Sequence, residues 1–352
     1  MTRTLPGLGL ALLLAWLGYQ LADLVGIRWM GLPRSPVSPI MLAILLGMLL
    51  RNTTGLAEVF KPGVRFSLVR VLRAGIVLLG LRLSLGDAGS IGLRSLPVII
   101  GCVAAALLLV TWLSRRLGLS ARLGTLIAAG TGICGATAIV ALAPTIEARE
   151  DETAYAVACI TLFGVVAMLA YPFAAHWLFA GDGFAAGLFL GTSVHETAQV
   201  AGAGLVYQQY YGDPLALDTA TVAKLVRNLG MLVVIPLLGL LYHRQSGGPA
   251  ASRPWYSLVP LFVLGFAGMS LLRTIGDLGA TPFGILEPAQ WSAVVEIARH
   301  AAELCLAVAM AAVGLGTRFR DFAAIGPRPF AVGLFSALLV GVVSFLLVSA
   351  LY

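Results

Sequence analysis

Charge is what this sequence has least of. Lysine, arginine, aspartate and glutamate make up only 11% of its 352 residues, and of the 23 basic residues just two, Lys61 and Lys224, are lysines. Together with 59% hydrophobic residues and a mean hydropathy of +0.95, this scarcity excludes a soluble globular chain. Polar stretches long enough to make a separate soluble domain are also missing. The four cysteines (Cys102, Cys134, Cys159 and Cys305) lie inside apolar stretches without metal-ligand spacing, which argues for reduced packing residues rather than a disulfide framework. No G-x-x-x-x-G-K-[ST] run occurs, so a P-loop nucleotide site is excluded.

What is there is apolar sequence from end to end. Windows of 18 or more mostly apolar residues suffice to cross a hydrocarbon core of roughly 30 Å as a helix. Segments of this kind fall near 5–25, 36–50, 66–84, 95–114, 120–145, 153–178, 183–208, 216–242, 255–273, 290–316 and 328–351. The first has no small-x-small cleavage site after it and reads as a retained helix. The formal charge of +7 sits in short loops, where it sets orientation rather than marking a nucleic-acid surface. Counting loop Lys and Arg with the N-terminus inside gives twelve inner residues (Arg3, Arg51, Lys61, Arg65, Arg115, Arg116, Arg122, Arg244, Arg253, Arg318, Arg320, Arg328). The outer loops hold five: Arg28, Arg34, Arg94, Arg149 and Arg273. The N-terminus is therefore expected in the cytoplasm.

Residues 77–85, "VLLGLRLSL", echo 311–319, "AAVGLGTRF", and each stretch precedes a proline-started apolar helix. Seven crossings separate them, so the copies run in opposite directions, as an inverted repeat requires. Two segments differ from the rest by carrying Gly/Thr/Ser clusters at their midpoints, "AAGTGICGATA" in 120–145 and "LGTSVHETAQVAGAG" in 183–208. As full crossings they break the inversion; as re-entrant hairpins, one from inside and one from outside, they restore it. Loop charge fits either version.

Residues 130–135, "GTGICG", match the G-x-G-x-x-G fingerprint by letter but lack the strand before and the alternating strand-helix context, so a dinucleotide site is not expected. Close helix packing is one reading of those glycines. The other is a helix interruption whose free backbone groups meet a solute. His195-Glu196-x-x-Gln199 has half of a zinc-protease motif, but the position four residues on is Gln199 and no other histidine repairs the ligand set. As a polar face it makes more sense: His195 and Gln199 lie one turn apart with Ser193 and Thr197 adjacent, and ionisable groups inside a membrane are functional candidates. Lys224 and Arg227, three apart on one helical face, are either snorkelling residues or a positive face for an anion or for Glu196. Glu296, Arg299, His300 and Glu303 form a stripe that reads as a relay or as intrahelical pairs. "EAREDE", 147–152, reads as a solvated loop run.

The stretches "GTGICGATAIVALAP", "ETAYAVACITLFG" and "GTSVHETAQVAGAG" followed by "TVAKLVRN" resemble bacterial membrane proteins of the YeiH type, a family labelled sulfate exporters, over residues 36–350. The resemblance implies an anion exporter, similar in architecture to the bile-acid and sodium/proton antiporter group, with two inverted repeats and interrupted helices. It carries over to 130–137 and 195–199.

The expectation is an all-α polytopic membrane protein of about 9–11 transmembrane helices with two inverted repeats and two interrupted or re-entrant segments. It is one transmembrane transporter domain over 1–352, with an extra N-terminal helix at 1–30, a first repeat at 36–178 and a second at 183–352. The expected function is export of a small anion, sulfate or a related oxyanion, across the bacterial inner membrane; a membrane metalloprotease-like enzyme and an anion channel are the alternatives. Substrate-binding residues are expected at Thr131, Gly132, Gly135, Thr137, Ser193, His195, Thr197, Gln199, Lys224 and Arg227, with His195 and Glu196 coupling transport to H+ or Na+. No catalytic residue, metal or cofactor is expected. The partners are the anionic solute, the coupling ion, the lipid bilayer and a second copy of the chain, with no nucleic acid.

Overall fold

The computed structural model describes residues 3–29, 38–246, 258–278, 281–320 and 326–352. Arg34 and Arg253, two of the loop charges counted above, lie outside them. The described residues form helices and turns with no strand among them. In chain order the helices are α1 (Leu5–Asp23), α2 (Pro39–Thr53), α3 (Lys61–Phe66), α4 (Leu72–Leu79), α5 (Leu85–Ala105) and α6 (Thr111–Arg116). There follow α7 (Ala121–Gly132), α8 (Ala136–Leu142), α9 (Glu150–Leu178), α10 (Gly183–Ser193) and α11 (Thr197–Tyr211). The last are α12 (Pro214–Leu229), α13 (Met231–Ser246), α14 (Leu261–Gly276), α15 (Pro288–Gly316) and α16 (Pro327–Leu351). Short 3-10 and π-helical segments join several of these into longer runs, such as 58–82 and 85–116. Six runs are long and apolar enough to cross a membrane by length and composition: Leu5–Trp29, Leu85–Arg116, Glu150–Leu178, Pro214–Tyr242, Pro288–Gly316 and Pro327–Leu351.

Local chemistry sets where these helices begin. Ser38, Ser120 and Asp182 each accept a hydrogen bond from the amide three residues on, capping α2, α7 and α10. α9 opens with three acids facing its positive end. Of the run 147–152 read as solvated, Glu147, Arg149, Glu150 and Asp151 are exposed, and the correction concerns Glu152. Glu152 is buried, accepting from Ser120 Oγ at 2.5 Å and from the Arg149 amide at 3.0 Å, because it finishes the first turn of α9.

The chain divides into two compact units, each drawn from three stretches. The first comprises 1–90, 201–218 and 261–319. Its helices pack through glycines at closest approach. A Cβ on Gly47 would stand 2.6 Å from the Ala311 carbonyl oxygen, and one on Gly314 2.2 Å from that of Ile44, so α2 and α15 touch backbone to backbone. At one end of this unit Arg82 pairs with Asp218 at 2.9 Å and lies 3.8 Å from Glu303. Within the Glu296 stripe Arg299 bonds Glu296 one turn before it and Glu303 at 3.1 Å one turn after, and Glu303 also accepts from Gln208 of α11 at 3.0 Å. Partial burial opposes ionisation of Asp277, just past α14. Hydrogen bonds from Arg273 (2.6 Å) and Trp291 (2.8 Å) outweigh it and hold the carboxyl below its ordinary value.

The second unit comprises 91–200, 219–260 and 320–352; it holds the first Gly-rich segment and residues 183–200 of the second, whose remainder belongs to the first unit. Gly124 faces Ser114 and Gly132 faces Val103 and Ala106, so α7 runs antiparallel to α5 and α6. The chain then turns at Ile133–Gly135 and comes back. Ile139 of α8 reaches to 2.8 Å of where a Cβ on Gly130 would stand, nine residues earlier in the chain. At the open end Arg122 lies 3.9 Å from Glu147. α13 measures the depth of the excursion. Met231 Sδ is 3.3 Å from Cys134 Sγ at the tip, whereas Tyr242 accepts from Arg122 at the open end. Those eleven residues rise about 16 Å, roughly half a bilayer core. The segment is a re-entrant hairpin.

The 183–208 segment enters from the other end. Phe184 packs on Tyr352 and lies under the Arg94 guanidinium, which stands 4.0 Å from its ring centre. Arg94 is twenty residues from Ser114 along the α5–α6 run, about 30 Å away. Thr192 Oγ1 is 2.7 Å from Ser344 Oγ, so α10 advances antiparallel to α16. Gly191 touches Ala220 of α12, and after the break at Val194–Glu196 Thr197 accepts from Asn228, two turns further along the same helix. α11 then runs back antiparallel to α12, to which Gly212–Asp213 joins it. The choice left open by sequence is thereby settled for both segments: each turns back.

A labelling prediction follows. With the four native cysteines replaced, Arg122→Cys and Glu147→Cys should react with a membrane-impermeant maleimide from the same face of oriented vesicles. Reaction from opposite faces would show that the segment crosses.

Candidate functional site

The two hairpins end at each other. Gly135 has φ 71° and ψ −132°; a Cβ there would lie 2.5 Å from Glu196 Cγ and 3.4 Å from the His195 carbonyl oxygen. Only glycine permits both that backbone and that approach. α7 and α10 thus bring their C-terminal ends together, and the last carbonyls of a helix have no intrahelical partners and carry the negative end of its dipole.

Lys224 and Arg227 of α12 meet those carbonyls. Arg227 donates from Nε to Gly132 O (2.7 Å), from Nη1 to Thr192 O (2.8 Å) and Val194 O (3.2 Å), and from Nη2 to Thr131 O. Lys224 Nζ donates to Ile133 O (3.1 Å), Val194 O (3.2 Å) and His195 O. Both side chains are 0% exposed. An unpaired buried cation is strongly unfavourable; here the oxygens of two interrupted helices take the place of a carboxylate. Neither residue snorkels, and their shared helical face turns into the protein.

The start of α11 is tied down separately. Glu196 N donates to Gln199 Oε1 (3.1 Å), Gln199 Nε2 donates to Thr161 O (3.3 Å), and Thr161 Oγ1 donates to Glu196 Oε1 (2.9 Å). Gly164 of α9 leaves the space that Gln199 fills, since a Cβ there would stand 2.0 Å from Oε1. Both polar ends of Gln199 are therefore engaged where a zinc protease would have a histidine.

Ten of the eleven residues singled out from sequence (Thr131, Gly132, Gly135, Ser193, His195, Glu196, Thr197, Gln199, Lys224 and Arg227) lie on the two tips and the helix between them. Thr137 is exposed at the start of α8, and Glu196 and Thr197 are half-buried, whereas the other eight are buried. Ser193 spends its hydroxyl on Phe189 O at 2.6 Å. His195 is 1% exposed, and neither ring nitrogen has a hydrogen-bond partner; the same holds for Thr131 Oγ1 and Asn228 Oδ1. Thr161, Gly164 and Asn228 were not singled out. Asn228 directly follows Arg227 and one helical turn separates it from Lys224, a signal the spacing carried. Thr161 and Gly164 fall in the stretch "ETAYAVACITLFG" that carries the family resemblance, but within an apolar helix no spacing points to a role for either.

This architecture defines an α-helical membrane protein in which two opposed re-entrant hairpins meet at a buried cationic helix. The model of the family described as Conserved hypothetical protein 698 matches residues 6–333, and the chain belongs to that family. It is 32% identical over 346 residues to a UPF0324 membrane protein of Bacillus cereus, covering 98% of this chain and 91% of the relative. A UPF0324 membrane protein of Bordetella pertussis is 34% identical over 338 residues, with 94% and 90% covered. One from Streptococcus pyogenes is 34% identical over 336 residues, with 94% and 92% covered. No solved structure matches.

Proposed function

We propose that this membrane protein is a secondary transporter that exports a small anion, sulfate or a related oxyanion, across the bacterial inner membrane. The observation that carries this reading is the pair of hairpin tips held around Lys224 and Arg227, with His195 and Thr131 beside them presenting unpartnered polar atoms. Irregular backbone at membrane depth is tolerated where it lines a solute site, and transporters place such breaks at their binding sites. Lys224 and Arg227 spend most or all of their donors on carbonyls, so in this mechanism they act on the anion through their charge. Contact falls to His195 and to the hydroxyls of Thr131, Thr137 and Thr197. Glu196, half-buried and held by Thr161, is the group that exchanges the coupling proton or sodium ion, with His195 beside it. The N-terminus is cytoplasmic in this reading, supported by loop charge: a hairpin at 120–145 puts Arg149 on the side of Arg122, giving thirteen inner against four outer basic residues.

The test is radiolabelled sulfate, sulfite and thiosulfate uptake into proteoliposomes with and without a pH or sodium gradient. Uptake should saturate and respond to one gradient. Thr197→Val should weaken it roughly tenfold, the worth of one hydrogen bond to a charged solute. Glu196→Gln should abolish the gradient response. Unsaturable uptake would point to a channel, and an unaltered gradient response in Glu196→Gln would remove Glu196 from the mechanism.

A further inference from the structure

Apart from the hairpin tips, the second unit carries an exposed apolar face whose two ends are chemically unlike. The α5–α6 run presents an outward stripe of Leu93, Leu96, Ile100, Leu108 and Trp112, spaced three, four, eight and four residues apart, hence on one helical face. Leu93 is 70% exposed, Ile100 63% and Leu108 69%. From Leu93 to Trp112 the helix rises about 28 Å, close to the thickness of a hydrocarbon core. A π turn at Ala106–Val110 shifts the helical register and leaves Leu108 and Leu109 exposed side by side.

The two ends of that stripe differ. At one end Arg94 is enclosed by rings, 4.0 Å from the centre of Phe184 and 4.9 Å from that of Tyr352. At the other a cleft of about 430 Å³ opens among Leu107, Leu108, Thr111, Trp112, Arg115 and Arg116. The Arg116 guanidinium lies over the Trp112 ring at 5.7 Å. Arg328 comes to the same end of the unit, its Nη1 3.6 Å from where a Cβ on Gly118 would stand. Among the described residues none of Arg115, Arg116 and Arg328 has a carboxylate within 4.0 Å, although the ion pairs elsewhere show that this chain pairs arginines where acids are near.

We propose that this cleft binds the headgroup of an anionic phospholipid, with one acyl chain along the Leu108–Ile100 face and the phosphate between Arg115 and Arg116. Apolar wall and paired cations meet at the depth where acyl chain gives way to headgroup. Three arginines with no carboxylate near them among the described residues call for negative charge, and the aromatic edge of Trp112 belongs to the same layer. A free phosphate ester would use the arginines but leave the apolar wall uncovered.

The experiment equilibrates the detergent-solubilised full chain with an equimolar mixture of phosphatidylglycerol and phosphatidylcholine and measures retained lipid by native mass spectrometry. The wild type should retain phosphatidylglycerol over phosphatidylcholine. R115Q/R116Q should reduce that retention by roughly tenfold or more, since each interfacial arginine contributes to anionic-lipid attraction. R65Q/R70Q, which removes two exposed arginines of the other unit, should not. Soluble glycerol phosphate at millimolar concentration should not displace the lipid. Equal retention of the two lipids, undiminished retention by R115Q/R116Q, an equal loss in R65Q/R70Q, or displacement by glycerol phosphate would each overturn the proposal. Should the double variant elute as aggregate, the single R115Q, a fully surface change, is read by the same criteria.

Discussion

Arg227→Ala is expected to lower the unfolding temperature of the purified protein by about 10 °C or more, the largest effect of any single side-chain truncation in the second unit. Arg227 supplies four hydrogen bonds to carbonyls of both tips, and those of Thr131, Gly132 and Thr192 have no second donor among the described side chains. Each buried carbonyl left unsatisfied costs about 1–3 kcal/mol, and the ends of two half-helices would then face each other uncompensated. Arg227→Lys keeps the charge but loses the planar fork, so it should recover only part of the loss. Thermal unfolding in one detergent, followed by tryptophan fluorescence, compares the three proteins. An alanine variant that melts with the wild type would mean that the carbonyls find other partners, and the description of α12 as the pin between the hairpins would fall.

The second large effect is expected at Gly135. Gly135→Ala places a methyl group 2.5 Å from Glu196 Cγ, on a backbone at φ 71°. The backbone strain alone costs about 1–3 kcal/mol, and the clash forces Glu196 away from Thr161. Gly55→Ala is the control: it has φ 77° but nothing within 4 Å of the added carbon, so it carries strain without a clash. Gly135→Ala should abolish gradient-driven uptake while Gly55→Ala leaves it within about twofold of wild type, as an exposed strained loop that contacts nothing at the added carbon should. Equal behaviour of the two variants would mean that contact between the tips does not matter.

Much of this was legible before any coordinates. Glycine and hydroxyl clusters in the middle of membrane-length segments are costly for a plain helix, so 130–137 and 191–203 could be read as breaks, with close helix packing the alternative for the first. Even the hairpin alternative could be framed from symmetry. What could not be read was the identity of the partners of Lys224 and Arg227. A sequence shows side chains, and a search for a counter-charge goes to Glu196. The actual acceptors are backbone oxygens, freed only because the helices stop, and they leave no letter in the sequence. Glu152 escaped for a related reason. A run of acids looks solvated until one of them completes a helix start and meets Ser120. Thr161 and Gly164 matter only because the hairpin tip lands on α9, which is a fact of topology.

The pinning of both hairpins to one helix has a mechanical consequence. Lys224 and Arg227 each hold oxygens from both tips at once, so neither tip can withdraw without breaking bonds to the same two side chains. A gate made by parting the two hairpins would have to expose two bare cations to hydrocarbon or water midway through every cycle. The tips and α12 instead form one solid cartridge. For the transport proposed above, this predicts that access to a bound anion changes only as that cartridge shifts as a piece, carrying its own charges with it.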